Sequence, residues 1–266
     1  DNQITTDLIN INLFSDLPDK EGLLPIHTAV IKSVPTYSII CHLFENDVRT
    51  GRLETPLLLA CKRGSSLAIE KLLNKGANPM CVDANFNNCL TNLAISGSVL
   101  KLKKFLVYDS TSLLVNAANI NLDTPLHVAV ANGYYDFVKQ LFDSCDIDTS
   151  LKNHRYQIAL HIAAERGYKK IVDLLLEYVD DINVIDDLNE TPLYKACCGG
   201  HYQCVESILR KKPDLSLLNK RNFTPLTTAI KNGHYLVVEL LLKSGAKINP
   251  QRPSEIRLCL ANISKL

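Results

Sequence analysis

Six glycines, Gly64, Gly97, Gly133, Gly167, Gly200 and Gly233, recur at intervals of 33, 36, 34, 33 and 33 residues. This period constrains the fold more than any other feature. Self-similarity at 20–50 residues marks stacked units, each too small to bury its apolar face alone. Length alone, 266 residues, would suggest one or two globular domains; the period replaces that picture with an array. Eight places before four of these glycines stand Pro56, Pro125, Pro192 and Pro225, while Cys89 and Ala159 fill the same position in the other two units. An earlier copy, Leu24-Pro25-Ile26-His27, lies 31 residues before Pro56.

The chemistry of one unit follows from its residues. Thr124, Thr191 and Thr224 each precede a proline, a pattern that reads as an N-cap followed by the first helical position. The hydroxyl takes an orphan amide, and the proline ring presets the helical dihedral. A short first helix then runs to the recurrent glycine, which suits a left-handed C-terminal cap and a tight turn. The second helix carries apolar blocks such as Ile69, Leu72 and Leu73, or Val205, Ile208 and Leu209. Their spacing makes one apolar face that only a neighbouring pair of helices can cover.

Three copies display the motif best. Asp123-Thr124-Pro125-Leu126-His127-Val128-Ala129 leads to Asn132-Gly133 and Phe137-Val138-Lys139-Gln140-Leu141-Phe142. Gln157-Ile158-Ala159-Leu160-His161-Ile162-Ala163-Ala164 leads to Gly167 and Ile171-Val172-Asp173-Leu174-Leu175-Leu176. Phe223-Thr224-Pro225-Leu226 leads to Gly233-His234, Val237-Val238-Glu239-Leu240-Leu241-Leu242 and Gly245-Ala246-Lys247-Ile248-Asn249. The chain thus resembles the ankyrin-repeat family in about seven units: 19–49, 50–82, 83–118, 119–152, 153–185, 186–218 and 219–250. The resemblance implies an all-α solenoid of stacked helix-turn-helix units with hairpin-like loops.

The sequence also departs from that family's pattern. A loop glycine before the proline survives only as Gly22; its equivalents are Leu53, Phe86, Leu122, Tyr156, Asn189 and Asn222. Asn adopts the left-handed conformation cheaply and Leu, Phe and Tyr do not, so several loops are expected to take another turn. Asn88-Cys89-Leu90-Thr91 replaces the usual motif in the third unit, and three extra residues precede the fourth, which predicts a changed stacking angle there. Ser33 and Pro35 in place of the glycine predict irregular helices in the first unit. Segments 1–18 and 251–266 read as amphipathic end caps or as the edges of further repeats, and both readings stay open. The chain starts at Asp1 and its sole methionine is Met80, so it is expected to be part of a longer parent.

Composition excludes several function classes. With 29 basic and 28 acidic side chains the formal charge is +1, which leaves no dominant polyionic binding mode. A hydrophobic content of 46% rules out wholesale disorder. No apolar run approaches the roughly 18 residues of a membrane span, and the N-terminus lacks a signal-peptide pattern. Nine cysteines, odd in number and without framework spacing, predict reduced thiols in the cytoplasm. Scarce aromatics (6%, no Trp) argue against stacking on bases or sugars.

Histidines and cysteines are the residues that most resemble a reactive site. His27, His127 and His161 occupy a fixed position of the first helix, where the imidazole is expected to bond back to the preceding loop. His201 and His234 occupy the turn; His42 and His154 stand outside these positions. The cluster Cys197-Cys198-Gly199-Gly200-His201-Tyr202-Gln203-Cys204 looks like a metal centre, yet zinc prefers four tetrahedral ligands in paired short spacings. Packing accounts for Cys197, His201 and Cys204, and only Cys198 is expected to face solvent. No HExxH, GxSxG, GxxxxGK[ST], GxGxxG or paired CxxC occurs, so neither enzyme activity nor any cofactor or metal is expected.

The family resemblance implies that a protein partner binds at the loop tips and exposed first-helix residues on the concave surface. Carried over position by position, the candidate contacts are Arg52, Lys62, Arg63, His154, Arg155, Arg166, Leu188, Glu190, Lys220, Arg221, Phe223 and Lys231. Glu54, Asn85, Asn87, Ile120, Asn121, Asp123, Asn132, Gln157, Glu165, Asp187, Cys198 and Asn232 share the surface. Arg155, Arg166, Arg221, Phe223 and Leu188 are the favoured anchors. Eight basic side chains against five acidic ones make a mixed face, which argues against nucleic acid. The chain is expected to act as a monomeric, non-catalytic scaffold. The alternative is the targeting part of a longer protein, such as a bacterial effector in a host cytoplasm, suggested by degenerate repeats rich in Asn, Lys and Ile. A third reading makes the repeats a substrate, since Leu175…Asp181-Ile182-Asn183 resembles a site of asparaginyl hydroxylation; Asn183 also has a structural reading as a link between adjacent loops.

Overall fold

Each Thr-Pro step begins a helix, as its chemistry predicts. In the computed structural model, which describes residues 20, 23–32, 50, 53–108 and 113–248, the Thr55 hydroxyl accepts from the Leu58 amide at 3.3 Å. Thr191 and Thr224 do the same for Tyr194 and Thr227, each at 3.1 Å. Where the third unit departs from the pattern, Asn88 Oδ1 replaces the hydroxyl and accepts from Thr91 N–H at 2.8 Å. The segments 1–18 and 251–266, together with Arg52 and His42, lie outside the described residues.

Among the described residues there are thirteen helices and no strand. They fall in two compact units, Asp1–Ile147 and Asp148–Leu266. In the first unit, α1 (Pro25–Lys32), α2 (Pro56–Lys62), α4 (Cys89–Ser96) and α6 (Pro125–Ala131) pack side by side in one row. A second row holds α3 (Ser66–Asn74), α5 (Val99–Phe105) and α7 (Tyr135–Ser144). In the second unit, α8 (Ala159–Arg166), α10 (Pro192–Cys198) and α12 (Pro225–Lys231) form the first row. The second row there is α9 (Lys169–Tyr178), α11 (Tyr202–Leu209) and α13 (Tyr235–Lys243).

The apolar periodicity explains both rows. Leu57, Leu90, Leu93, Leu102, Phe105 and Phe137 are buried between helices of the first unit. Leu160, Ile171, Val172, Leu175, Leu193, Val205 and Ile208 are buried in the second. Each fully buried side chain of this size contributes about 2 kcal/mol of transfer free energy. The contributions come from neighbouring repeats, so no helix pair is stable without its neighbours.

The loops contradict the expectation that Leu, Phe and Tyr would force another turn. Leu53, Phe86, Leu122, Tyr156, Asn189 and Asn222 all hold left-handed backbone, with φ between 56° and 59°. All six loops are therefore the same hairpin, and a repeated set of hydrogen bonds overrides the steric preference. In the fifth unit, Asn153 N–H donates to Gln157 O at 3.0 Å and Tyr156 N–H to Asn153 O at 2.8 Å. Asn153 Oδ1 also accepts from Arg155 N–H at 3.0 Å and Gln157 N–H at 3.1 Å. Four bonds around five residues outweigh a left-handed penalty of roughly 1–2 kcal/mol.

The recurrent glycine serves two different ends. Gly200 is left-handed (φ +69°), and a Cβ there would lie 2.4 Å from His234 Nδ1. Gly64 does not have the expected positive φ. It is needed for close approach, because a Cβ would sit 2.7 Å from the Ala60 Cα and 3.1 Å from the Val30 carbonyl oxygen.

Gly200→Ala should lower stability by about 2 kcal/mol through left-handed strain and the His234 clash. Leu122→Gly should leave it unchanged or raise it by up to about 1 kcal/mol, since the half-exposed side chain loses little packing and the backbone strain goes. Urea unfolding of both variants checks the pair; a loss of similar size in both would refute the strain assignment.

Candidate functional site

The hairpins present a short run of exposed residues at each tip. In the second unit these are His154, Arg155 and Tyr156, then Leu188 and Asn189, then Lys220, Arg221 and Asn222. Backbone bonds fix the tips to one another: Asp187 N–H donates to Arg155 O at 3.0 Å and Lys220 N–H to Leu188 O at 2.9 Å. The last turn of each first helix lies beside its hairpin. Lys231 Nζ stands 5.0 Å from the Phe223 ring centroid, a cation–π contact. In the first unit Lys62 pairs with Glu54 across the same gap at 2.9 Å. Exposed tip residues of that unit are Leu53, Asn85, Phe86, Ile120, Asn121 and Leu122.

A buried polar knot supports the second unit's hairpins. Lys195 on α10 reaches Asp186 at 2.9 Å and Glu190 at 2.6 Å, with its own side chain only 7% exposed. Asn219 Nδ2, from the next hairpin, donates to Glu190 Oε1 at 3.0 Å and to the Tyr194 hydroxyl at 2.9 Å. Burial alone would push the Asp186 carboxyl up; the Lys195 hydrogen bond and the Glu190 amide outweigh it and hold the group below the usual value. Burial likewise pulls Lys195 down, but Glu190 and Asp186 outweigh it and the ammonium is held above its ordinary range.

Histidines are fasteners of the fold. His27 Nδ1 accepts from Leu24 N–H at 3.1 Å, and His127 Nδ1 from Thr124 N–H at 3.3 Å. His161 Nδ1 accepts from Ile158 N–H at 3.3 Å while Nε2 donates to Glu190 O at 3.0 Å, which defines a neutral tautomer. Burial pushes its pKa down to about 4. His201 and His234 reach back to the preceding first helix, donating from Nε2 to Glu165 O at 2.9 Å and Cys198 O at 3.0 Å. Asn183 Oδ1 accepts from Asp214 N–H of the next repeat at 2.9 Å, the interloop tie anticipated for it.

Cys197 and Cys204 are buried, and Cys198 is exposed as expected. Burial pushes the Cys204 thiol up to about 11 and the Cys197 thiol further. In the first unit the Cys89 thiol is raised by its hydrogen bond with the Cys61 side chain and by burial.

Several expected contacts are placed elsewhere. Glu54, Asn87 and Gln157 are buried at the hairpin bases, where their carbonyls close the turns. Glu190 is spent on Lys195 and Asn219, so it is a support of the surface rather than a free contact. Lys62 is held by Glu54. Arg63, His154, Arg155, Arg166, Leu188, Lys220, Arg221 and Lys231 are exposed, and Phe223 is half-buried under Lys231.

The residues missed are the hairpin bases Thr50, Asp83, Asn119, Asn153, Asp186 and Asn219, whose side chains take loop amides. Their signal was present, because they recur with the same spacings as the glycines.

Comparison with known proteins matches residues 57–153 and 160–252 to the family model for ankyrin repeats. The chain is 27% identical over 202 residues to an ankyrin repeat and ELMO domain-containing protein D of Dictyostelium discoideum, covering 71% of this chain and 16% of that one. It is 31% identical over 159 residues to the human transient receptor potential cation channel subfamily A member 1, covering 56% of this chain and 14% of the channel. The chain therefore spans about one sixth of these relatives' length. The crystal structure of the ankyrin repeat domain of Bcl-3 superposes with a TM-score of 0.73 at 26% identity, over 84% of this chain and all of that domain.

Lys195→Ala should cost about 3–5 kcal/mol in urea unfolding, because it strands two enclosed carboxylates; a loss under 1 kcal/mol would show the knot to be solvated. The neutral, buried His161 also predicts acid sensitivity. Its folded pKa lies below the unfolded 6.5, so the unfolded chain binds the proton first and stability falls as pH drops from about 6.5 to about 4. The loss is on the order of 3 kcal/mol, and melting of His161→Gln should be flatter across that window than wild type.

Proposed function

The chain belongs to the ankyrin-repeat family, and on that premise we propose that it holds a protein partner on the hairpin side of its repeats without chemistry of its own. Ankyrin repeats are in general protein-interaction modules. One observation carries the reading to these residues: the side chains at the hairpin bases and helix starts are consumed by the scaffold, while those at the tips are exposed and vary, with Leu, Phe, Tyr or Asn at the same tip position. Leu53, Phe86, Leu122 and Tyr156 are the clearest cases. Each is exposed and sits in strained backbone, so each costs stability without packing in return. Exposed residues kept against a local penalty fit a contact surface better than a scaffold.

No described helix is long and apolar enough to cross a membrane. Cys61, Cys81, Cys89, Cys197 and Cys204 are buried as free thiols, which supports a reducing compartment such as the cytoplasm. The small share of each relative that this chain spans supports the companion reading, in which the repeats are the targeting part of a longer protein. On that reading any activity of the parent lies outside these residues.

The test is capture of partners from lysate with wild type and with Arg155, Arg166, Arg221 and Phe223 changed together to Ala. The variant should keep its melting temperature and lose the captured partner by at least about tenfold. Undiminished capture by a folded variant would overturn the assignment of the surface.

A further inference from the structure

We propose that the hairpin side of the second unit binds an acidic segment of a partner protein, one in which carboxylates alternate with apolar residues. This inference rests on the scaffold reading above and narrows it to a class of ligand.

The nearly neutral chain does not distribute its charge evenly over this surface. Arg155, Arg166, Lys220, Arg221 and Lys231 are exposed on the tips and the last turns of the first helices. Among the described residues none of the five has a carboxylate within ion-pair distance. Of the two acidic side chains that the linear pattern puts among them at a hairpin, Glu190 is turned inward to Lys195 and Asn219. The acidic groups that stay are Glu165, exposed at the end of α8, and Asp187, half-buried with Oδ1 enclosed. Folding therefore removes negative charge from a surface that the sequence makes look mixed, and leaves cations in excess.

Apolar groups lie between the cations. Tyr156 and Leu188, 61% and 41% exposed, separate Arg155 from the Lys220–Arg221 pair. The hairpin-to-hairpin backbone bonds hold the three tips in fixed register, so little ordering is needed on binding. This alternation matches a peptide that offers carboxylates to the arginines and apolar side chains to Tyr156 and Leu188.

A nucleic acid strand fits less well. Lys231 covers the Phe223 ring and the central Leu188 has no aromatic face, so the exposed rings, His154 and Tyr156, stand on the first of the three hairpins alone and make no row of stacking platforms for successive bases. Glu165 and Asp187 would meet an unbroken phosphate chain, whereas a peptide can present uncharged residues to them.

The experiment measures anisotropy of the full chain with three labelled probes: a twelve-residue peptide alternating Glu and Leu, the same peptide with Gln for Glu, and a twelve-nucleotide oligouridylate. The Glu peptide should bind at least about tenfold tighter than the Gln peptide and weaken as salt rises from about 50 to about 300 mM. Combined Arg155→Glu and Arg221→Glu should weaken it by a further factor of about ten or more. Lys170→Glu with Lys211→Glu, at exposed positions on α9 and in the turn after α11, serves as the control for net charge and should retain most of the affinity. The proposal is overturned if the Glu peptide does not bind, if the Gln peptide binds equally, if the oligouridylate binds more tightly, or if the control pair loses as much as the tip variant. If the tip variant fails these tests yet wild type still captures a protein from lysate, the acidic ligand is wrong and the scaffold reading survives. Loss of both sinks the scaffold reading itself.

Discussion

The whole arrangement hangs on one polar side chain at the base of each hairpin. In five of the six described hairpins an Asn or Asp oxygen accepts two loop amides and turns five residues into a rigid hairpin, in which even Tyr156 is held left-handed; Thr50 Oγ1 takes a loop amide in the sixth. Without that acceptor the loop would keep two amides unpaired beside the first helix, and no turn chemistry would favour the left-handed residue. Because the loop is rigid, its other groups can be used. Its carbonyls and amides reach the neighbouring hairpin, and the following threonine is set to cap the first helix. Within each compact unit the tips then project from a frame whose apolar face is buried by the next repeat.

A second consequence is the division of labour among charged residues. Lys195, Asp186 and Glu190 form an enclosed ion triad that fastens one hairpin to the next through Asn219. Charges on the neighbouring hairpins, such as Arg155 and Arg221, reach solvent. Desolvation decides which is which: an enclosed charge survives only with a partner, and Lys195 has two. The cations left outside have none among the described residues, and they define the surface that we assign to a partner.

Much of the architecture was legible in advance. The glycine period, the Thr-Pro caps and the apolar blocks led to the helix pairs without any structural information, because each rests on a local preference. The loop turn was misjudged for the opposite reason: a preference of single residues was set against a four-bond network spread over five positions, and the network wins. The hairpin-base residues escaped notice although their spacing equals that of the glycines, since Thr, Asp and Asn also occur at many surface positions and only the bonds they make to loop amides in the fold set these six apart. Gln157 and Glu54 are buried and Glu190 is paired with Lys195, which periodicity does not show, because it gives a residue's position along a repeat but not whether a neighbour takes its side chain.

By itself, then, the sequence determined the repeating unit, where each helix starts and which faces must be covered, since capping, proline geometry and apolar spacing act within a few residues. Tertiary structure alone decided which charges remain outside. His161 bonds to a carbonyl 29 residues away and Asn219 to a carboxylate 29 residues behind it. Contacts of that kind depend on the stacking of whole repeats, and a side chain is enclosed or exposed only once its neighbour is in place.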